Sequence, residues 1–276
     1  MIIDGKKLSQ DIIAKLKEER KSFTFNIRLA VILVGDNSAA LSFIKQKEKI
    51  AKELDVDFRL YQYPVSIKTK ALRAQVNHIS RLPTTKGVVV QLPLPKSIQT
   101  QTVLNGIIGR KDPDVLSENN LGKFYTQRLP ILPPVVAAIR FLVETYKIPL
   151  VGKNVLIIGR GPLVGKPLAL WFIHQGATVT VANSHTQNLI DYTQKAEIIV
   201  SSAGQPHLIT SEMVSSKVII FDAATVSENN KLQGDCDLEG LKDKVSLITP
   251  VPGGLGPLTV AFLFQNLFTL LKLKSF

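Results

Sequence analysis

Side chains suited to acid–base and ligand-binding chemistry appear at three places in the first half of the chain. Phe43 and Lys47 are four residues apart on a predicted helix and therefore share one face. Gln91 ends the apolar strand GVVVQ, and α/β folds bind ligands at the carboxyl ends of parallel strands. Asp112 and Asp114 follow in the loop KDPDV, where aspartate can also serve simply as a turn residue.

Lys47 could act as a base if part of its population were uncharged. Lys45 and Lys49 flank it, and like charges nearby lower the pKa of a lysine. The segment KQKEKIAK is nevertheless typical of a solvated helix surface, and considered alone it favours that plainer interpretation.

A second group of residues indicates a dinucleotide site. The stretch NVLIIGRGPLVGKPLALWF predicts a strand, a glycine turn and a helix, with Gly159, Gly161 and Gly165 in the turn. Such a turn directs backbone N–H groups and a helix N-terminus at a pyrophosphate. The spacing alone is weak evidence, but its position directly after an apolar strand favours a cofactor site.

The following strand, ATVTVA, lacks the acidic residue that would hold the ribose of NAD. Arg160 in the glycine turn and Ser184 after the strand could instead bind the 2′-phosphate of NADP. Arg160 could also be a solvated turn residue.

The elements that must position these residues alternate along the chain. Helical periodicity at 7–21, 39–54 and 68–80 alternates with strands at 28–35, 56–63 and 87–95. Residues 109–134 read as a long loop, after which the alternation restarts. We predict an α/β fold of two domains. The N-terminal α/β domain comprises residues 1–134 plus 260–276, and residues 135–259 form a Rossmann-like doubly wound parallel sheet.

Composition narrows the function classes. The chain of 276 residues has a net charge of +12 and one cysteine, Cys236, which fits a reducing, cytoplasmic compartment. The start becomes charged at once, unlike a signal peptide, and the apolar C-terminal run reads as a buried helix. The histidines are scattered without metal-ligand spacing, and the lysines are not clustered. We therefore expect anionic small molecules, with no metal, nucleic acid or membrane.

Motifs along nearly the whole chain resemble the bifunctional methylenetetrahydrofolate dehydrogenase/cyclohydrolase family. They are IIDGK, LVGDNSAALSFIKQKEK, GVVVQLPLP, KDPDV, NNLG, GRGPLVGKP, GDCDL and ITPVPGGLGPLTV. The resemblance implies oxidation of 5,10-methylenetetrahydrofolate with NADP and hydrolysis of the methenyl product to 10-formyltetrahydrofolate. It also implies a homodimer.

The resemblance assigns roles by matching positions. Lys47 matches the family's general acid–base lysine, Gln91 the glutamine that tunes it, and Asp114 the aspartate that anchors the pterin. Phe43 stands where a tyrosine stacks on the folate ring. For the cofactor, Gly159, Arg160, Gly161, Gly165 and Ser184 match binding positions, and Thr225 falls near the nicotinamide.

Pro252, Gly253 and Gly254, in TPVPGGLGPLT, match a segment that lies against the substrate. Prolines would stiffen this path and glycines would let backbone approach ligands. We therefore expect Gly254→Val to impair folate binding more than stability.

The chain departs from the family pattern at several positions. Phe43 replaces tyrosine, Gly161 replaces serine, and DAA (222–224) replaces DVG. Val115 replaces glycine after Asp114, which predicts a differently shaped loop, and PILP (130–133) replaces PCTP. Two alternatives therefore stay open: a drifted relative that only binds folate or nucleotide, and a dehydrogenase for another anionic substrate such as a shikimate-like acid.

Overall fold

A computed structural model of the chain describes residues 1–228 and 231–273. Its helices are Gly5–Arg20 (α1), Ser38–Glu53 (α2), Thr69–Arg81 (α3), Thr100–Leu104 (α4), Glu118–Tyr125 (α5), Pro134–Thr145 (α6), Gly165–His174 (α7), Leu189–Thr193 (α8), Leu238–Leu241 (α9) and Leu255–Lys272 (α10). Its strands are Arg28–Val34 (β1), Asp57–Tyr63 (β2), Thr85–Val90 (β3), Asn154–Ile158 (β4), Thr178–Ala182 (β5), Ile198–Ser201 (β6), Ile219–Asp222 (β7), Val226–Glu228 (β8), Lys231–Gln233 (β9) and Leu247–Thr249 (β10). Short 3₁₀ turns lie at Gly109–Lys111 and Ser211–Met213.

Backbone contacts divide the chain into two units. The three-stranded unit comprises residues 10–134 and 260–276, and the five-stranded unit comprises residues 1–9 and 135–259. Residues 1–9 therefore group differently from the sequence prediction, which placed them with the first domain. The reason is long-range backbone pairing: Ile2 bridges to Ile248, and the Ile3 N–H donates to the Ile248 carbonyl at 3.0 Å.

The three-stranded unit is built on a parallel sheet in the order β2-β1-β3. The central strand β1 is buried from Leu29 to Val34, as expected for a parallel strand covered on both faces. One face packs on α3 and α4 through apolar side chains, which include Val76 and Val103. The chain leaves β3 at Gln91, whose N–H donates to the Ile32 carbonyl at 2.8 Å.

The five-stranded unit contains a parallel sheet in the order β10-β7-β6-β4-β5. β4 lies between β5 and β6, and Ile158 is in register with both Ala182 and Ser201. The loops that follow these three strands therefore leave the same edge of the sheet, where α/β folds bind ligands. The predicted α/β fold class, with two parallel sheets, is confirmed.

The segment 109–134 was predicted to be a loop, but it contains α5. Ser117 caps this helix by accepting a hydrogen bond from the Asn120 N–H at 3.4 Å. The polar composition of this segment predicted a loop. Asn120 is nevertheless buried in the helix, because its amide donates to the Gly109 carbonyl at 2.9 Å. The β8–β9 hairpin was also not predicted.

The C-terminal helix α10 is long and apolar enough to cross a bilayer by composition. Its mean hydropathy is 1.3, but 61% of it is buried within the protein, which is typical of a core helix. Leu267 packs near Gly87 of β3, and Phe268 meets Phe23 with ring centroids 5.4 Å apart. Two adjacent polar residues interrupt this apolar helix: Gln265 is exposed and Asn266 is buried.

Candidate functional site

Lys47 and Gln91 meet at one edge of the three-stranded sheet. α2 begins at an Asn37 cap, which accepts from the Ala40 N–H at 3.1 Å, and carries Lys47 in its third turn. The Lys47 ammonium donates to Gln91 Oε1 at 2.8 Å, and Gln91 Nε2 donates to the Leu92 carbonyl at 2.9 Å. The second bond fixes the amide orientation, so that Gln91 presents an acceptor to the lysine.

Burial lowers the pKa of Lys47, and the nearby Asp114 carboxylate partly opposes that shift. The sequence correctly predicted a lowered pKa for Lys47. The cause is burial and not the neighbouring charges, since the flanking residues Lys45 and Lys49 are exposed. The plainer interpretation of a solvated helix surface is also wrong for Lys47, because this side chain points inward.

Asp114 completes a cluster with Lys47 and Gln91. Burial raises its pKa to about 6, with Lys47 lowering it and Asp112 raising it. No residue in the described part of the chain, 1–228 and 231–273, donates a hydrogen bond to the Asp114 carboxylate. A partly buried carboxylate without a protein donor is well suited to bind N–H groups of a ligand.

Asp112, by contrast, is a structural residue. It is fully buried and accepts hydrogen bonds from the Ser117 N–H at 2.9 Å, the Ser117 hydroxyl at 2.6 Å and the Asn120 amide at 3.2 Å. The Leu116 N–H also donates to it at 3.1 Å. Turn chemistry, which the sequence left open for both aspartates, is therefore the role of Asp112 and not of Asp114.

Val115 adopts the backbone conformation that a glycine would favour. Its φ is +59° and its side chain is fully buried. A β-branched residue in this region is strained by about 1–3 kcal/mol. The turn after Asp114 therefore has a left-handed backbone at Val115, and the prediction that this loop differs in shape from the family's stays a prediction.

Phe43 lies one turn before Lys47 on α2 and is partly buried. The four-residue spacing places the two side chains on the same helix face. The three-stranded unit thus collects Phe43, Lys47, Gln91 and Asp114, all of which the sequence had singled out.

The glycine turn lies between β4 and α7 in the five-stranded unit. Gly159 has a φ of +110°, and a Cβ there would lie 2.6 Å from the Ser202 carbonyl oxygen, so only glycine fits. A Cβ at Gly165 would collide with the Gly159 carbonyl, which explains the close approach of helix and strand. A Cβ at Gly161 would meet no atom within 4 Å, so the family's serine would also fit there.

Arg160 and Ser184 occupy equivalent places in the loops that follow the neighbouring strands β4 and β5. Each lies two residues beyond a register-paired position, Ile158 on β4 and Ala182 on β5. The Gly159 N–H donates to the Ala182 carbonyl at 2.9 Å, which joins the two loops. Both side chains are exposed, so this edge offers a cation and a hydroxyl to an anionic ligand.

Two buried aspartates that the sequence reasoning missed hold the loops near Thr225. Asp222 ends β7 and accepts from the Ala224 N–H at 3.1 Å and the Cys236 N–H at 2.9 Å. Asp235 accepts from the Ala203 and Gln205 N–H groups, both at 2.7 Å. The available signal was an acid at the end of the apolar strand IIFD.

Burial raises the pKa of Asp222 to about 6, and Asp235 contributes to the shift. Thr225, two residues beyond Ala223, is exposed. The backbone that precedes it is fixed by the bond from the Ala223 N–H to the Ser201 carbonyl at 2.8 Å. The DAA segment is therefore held by its own Asp222 carboxylate, which accepts the Ala224 N–H, and by the Ser201 carbonyl.

The segment Pro252–Gly254 belongs to the five-stranded unit. Pro252 is exposed, and Gly253 has a φ of +103° with open space at its Cβ position. Gly254 is different: a Cβ there would lie 2.5 Å from the Pro250 carbonyl oxygen and 2.8 Å from the Thr249 Cβ. Gly254 is therefore required by the turn itself, and substitution would reduce stability first, contrary to the expectation for Gly254→Val.

In the described part of the chain, no three His, Cys, Asp or Glu side chains lie close enough to hold a metal ion. Lys47, Asp114 and Asp222 are buried titratable groups whose pKa values are shifted.

Comparison with known proteins matches both units. The model for the tetrahydrofolate dehydrogenase/cyclohydrolase catalytic domain matches residues 3–114, and the model for the NAD(P)-binding domain of the same family matches residues 133–275. The bifunctional protein FolD of Lactobacillus acidophilus is 39% identical over 277 residues, covering 99% of this chain and 98% of that protein.

Solved structures agree with the sequence matches. The bifunctional FolD enzyme of Campylobacter jejuni is 37% identical with a TM-score of 0.92, covering 99% of this chain and 98% of that one. The FolD of Trypanosoma brucei, solved with NADP and an inhibitor, is 30% identical with a TM-score of 0.92, covering 99% and 97%. With both domain models and full-length relatives matched, this chain belongs to the tetrahydrofolate dehydrogenase/cyclohydrolase family.

Proposed function

We propose that the chain oxidises 5,10-methylenetetrahydrofolate to the 5,10-methenyl form with NADP, and hydrolyses that product to 10-formyltetrahydrofolate. Membership of the family supports both activities. The observation that carries the assignment is the lysine of lowered pKa, hydrogen-bonded to Gln91 and close to a carboxylate without a protein donor. This arrangement supplies a base and an anchor for an N–H-rich ring.

Lys47 is proposed as the base for the hydrolytic step. An uncharged amine can still donate one N–H to Gln91 while its lone pair accepts a proton from water. Because Gln91 Nε2 is bonded to the Leu92 carbonyl, the amide cannot reverse its role. The methenyl substrate is a cation and would repel an ammonium group, so it further favours the neutral lysine.

Asp114 and Phe43 are proposed to hold the folate. The amino-amide edge of the pterin offers a planar array of N–H donors, which suits one carboxylate in bidentate contact. The Phe43 ring lies on the same helix face as Lys47 and can stack on the pterin without a hydroxyl. Pro252, Gly253 and Gly254 stay proposed substrate contacts on the basis of the family pattern.

The glycine turn is the proposed NADP site, and bound NADP would accept the hydride that the folate carbon loses. The open position at Gly161 and the N-terminus of α7 fit a pyrophosphate. Arg160 and Ser184, on neighbouring loops, are proposed to bind the 2′-phosphate and so to favour NADP over NAD. Gly159 and Gly165 shape the turn, and Thr225 is proposed to face the nicotinamide.

We also propose a homodimer formed through the β5 edge of the five-stranded sheet. β5 is the edge strand of this sheet and pairs only with β4 among the described strands. Large apolar side chains on β5 and on segments near it in sequence are exposed: Val151, Ile173, Val181, Ile190 and Tyr192. Exposed apolar patches beside an open sheet edge commonly mark interfaces.

The net charge of +12 suits NADP and polyglutamylated folate, which are both polyanions. A cytoplasmic location is proposed from the single unpaired cysteine and the family. No role is proposed for nucleic acid or membrane.

Lys47→Ala tests the assignment. We expect cyclohydrolase turnover to fall at least about a hundredfold, the range that a lost general base removes. Methenyl-folate hydrolysis is followed by absorbance, and dehydrogenase activity is measured in parallel with NADP and with NAD. Lys45→Ala is the matched control, since Lys45 is an exposed lysine on the same helix.

Undiminished hydrolysis by Lys47→Ala would remove Lys47 from its role. Wild-type protein that forms no methenyl product from methylenetetrahydrofolate with either cofactor would instead support the drifted, non-catalytic alternative.

A further inference from the structure

We propose that Asn266, a buried asparagine of the C-terminal helix, is a positioning residue that fixes Asp114 for folate binding. The proposal rests on the function proposed above for Asp114. Asn266 is 5% exposed in a helix whose neighbouring residues Leu267 and Phe268 are fully buried. A polar side chain in such a place is unfavourable unless its hydrogen-bonding groups are used.

Asn266 uses both hydrogens of its side-chain amide, each to bond a backbone carbonyl. Its Nδ2 donates to the Pro113 carbonyl at 2.8 Å and to the Leu132 carbonyl at 2.7 Å. Pro113 directly precedes Asp114, and Leu132 lies in the PILP segment. One side chain, at least 134 residues away in sequence, thus joins the backbone at Pro113 to the backbone at Leu132. The first of these contacts lies directly before Asp114.

The residues on the other sides of Asp114 are fixed as well. The carboxylate of Asp112 binds the N–H groups of Leu116 and Ser117. Val115 is held with a φ of +59°, a conformation that persists only where its surroundings impose it. Lys111, at the other end of the loop, donates to the Ser80 and Leu82 carbonyls at 2.7 and 2.9 Å.

Asp114 itself receives no hydrogen bond from the described residues, so the direction of its carboxylate depends on its backbone neighbours. The backbone around Asp114 is restrained by the hydrogen bonds that Asp112 accepts and by the fixed conformation of Val115. Asn266 acts on the peptide group between Pro113 and Asp114, which is one of the two peptide groups bonded to the Asp114 Cα. Loss of Asn266 would let this peptide rotate, and small displacements of a binding group reduce affinity strongly.

The test compares Asn266→Leu, which keeps the volume and removes both donors, with wild type. We expect KM for methylenetetrahydrofolate to rise about tenfold, with kcat within about threefold and KM for NADP unchanged. Asn266→Ser, a smaller change, provides the same measurement if Asn266→Leu does not fold.

Two controls separate positioning from a merely structural role. Gln265→Leu changes the exposed neighbour on the same helix, and Leu270→Ala opens a cavity in its buried face. A folate KM that rises in Leu270→Ala as much as in Asn266→Leu, or that does not rise in Asn266→Leu or Asn266→Ser, would overturn the proposal. A wild-type enzyme without methenyl formation would instead refute the proposed function, so the two failures are distinct.

Discussion

Burial moves Lys47 and Asp114 in the directions that favour their uncharged forms. It lowers the pKa of the lysine and raises that of the aspartate to about 6, while their mutual attraction opposes both shifts. Burial therefore favours the uncharged form of each group, and the attraction between the two charges favours the ionised pair. This balance depends on tertiary placement, because α2 and the 109–117 loop are distant in sequence.

Asp114→Asn should raise the free energy of unfolding at pH 8 by about 1–3 kcal/mol, with little effect near pH 4. The pKa of Asp114 is raised from 3.8 to about 6 in the fold. Its stabilising contribution is therefore complete below pH 3.8 and is lost as the pH rises through about 6. Denaturant unfolding at both pH values measures the difference.

The same substitution should weaken folate binding at every pH at which Asp114 is ionised. In the wild type, KM for folate should rise as the pH falls below about 6, because the protonated carboxyl is a poorer acceptor. Asp36→Asn, at an exposed aspartate, serves as the control. A stability difference that is equal at pH 4 and pH 8 would contradict the assigned burial of Asp114.

At the scale of elements, short turns position most of the candidate site residues. The glycine turn after β4, the Asp112–Ser117 loop and the 249–254 turn each place chemistry at the end of a strand or helix. They differ in what their glycines do. Gly253 supplies a φ of +103°, whereas Gly254 makes room for the Pro250 carbonyl.

Gly254→Ala should lower the free energy of unfolding by about 2 kcal/mol or more, because its Cβ would lie 2.5 Å from the Pro250 oxygen. The Pro250 carbonyl also accepts the Gly254 N–H at 2.8 Å, so the two groups cannot easily separate. Chemical denaturation of the variant measures this loss.

Gly256→Ala is the matched comparison. Gly256 lies in the first turn of α10 with open space at its Cβ position, so alanine should be neutral or stabilise by up to about 1 kcal/mol. Equal losses in the two variants would show that close packing is not what requires glycine at position 254.

At the scale of the whole molecule, the chain crosses between its units more than once. Residues 1–9 join the five-stranded unit, and residues 260–276 join the three-stranded unit. Each unit is therefore built from two separate stretches of the chain. The exposed β5 edge of the five-stranded sheet is where we expect a second copy to bind.

Val181→Asp should convert the proposed homodimer to a monomer, because it places a charge on the exposed edge strand β5. Sedimentation equilibrium or light scattering gives the mass directly. Val65→Asp, at a 61% exposed valine of the three-stranded unit, should leave the mass unchanged. A dimer that survives Val181→Asp would place the interface elsewhere.

The order of helices and strands followed from local periodicity, because each apolar strand is flanked by helical patterns and turn residues. The exceptions have physical causes. α5 was missed because its composition is polar, and the burial of Asn120, whose amide donates to the Gly109 carbonyl, gives no signal in the sequence. The position of residues 1–9 was missed because a single backbone bridge to Ile248 gives no local signal.

The sequence by itself determined the residue types: a lysine and a phenylalanine on one helix face, a glutamine at a strand end, and glycines after β4. It could not determine which of two neighbouring aspartates is free and which is structural, nor that Val115 takes a left-handed backbone. Those features depend on the bonds that Asp112 accepts from Leu116 and Ser117, and on the bond from the distant Asn266 to the Pro113 carbonyl. Only the tertiary structure decides them, because burial and hydrogen-bond partners are properties of the folded chain and not of local sequence.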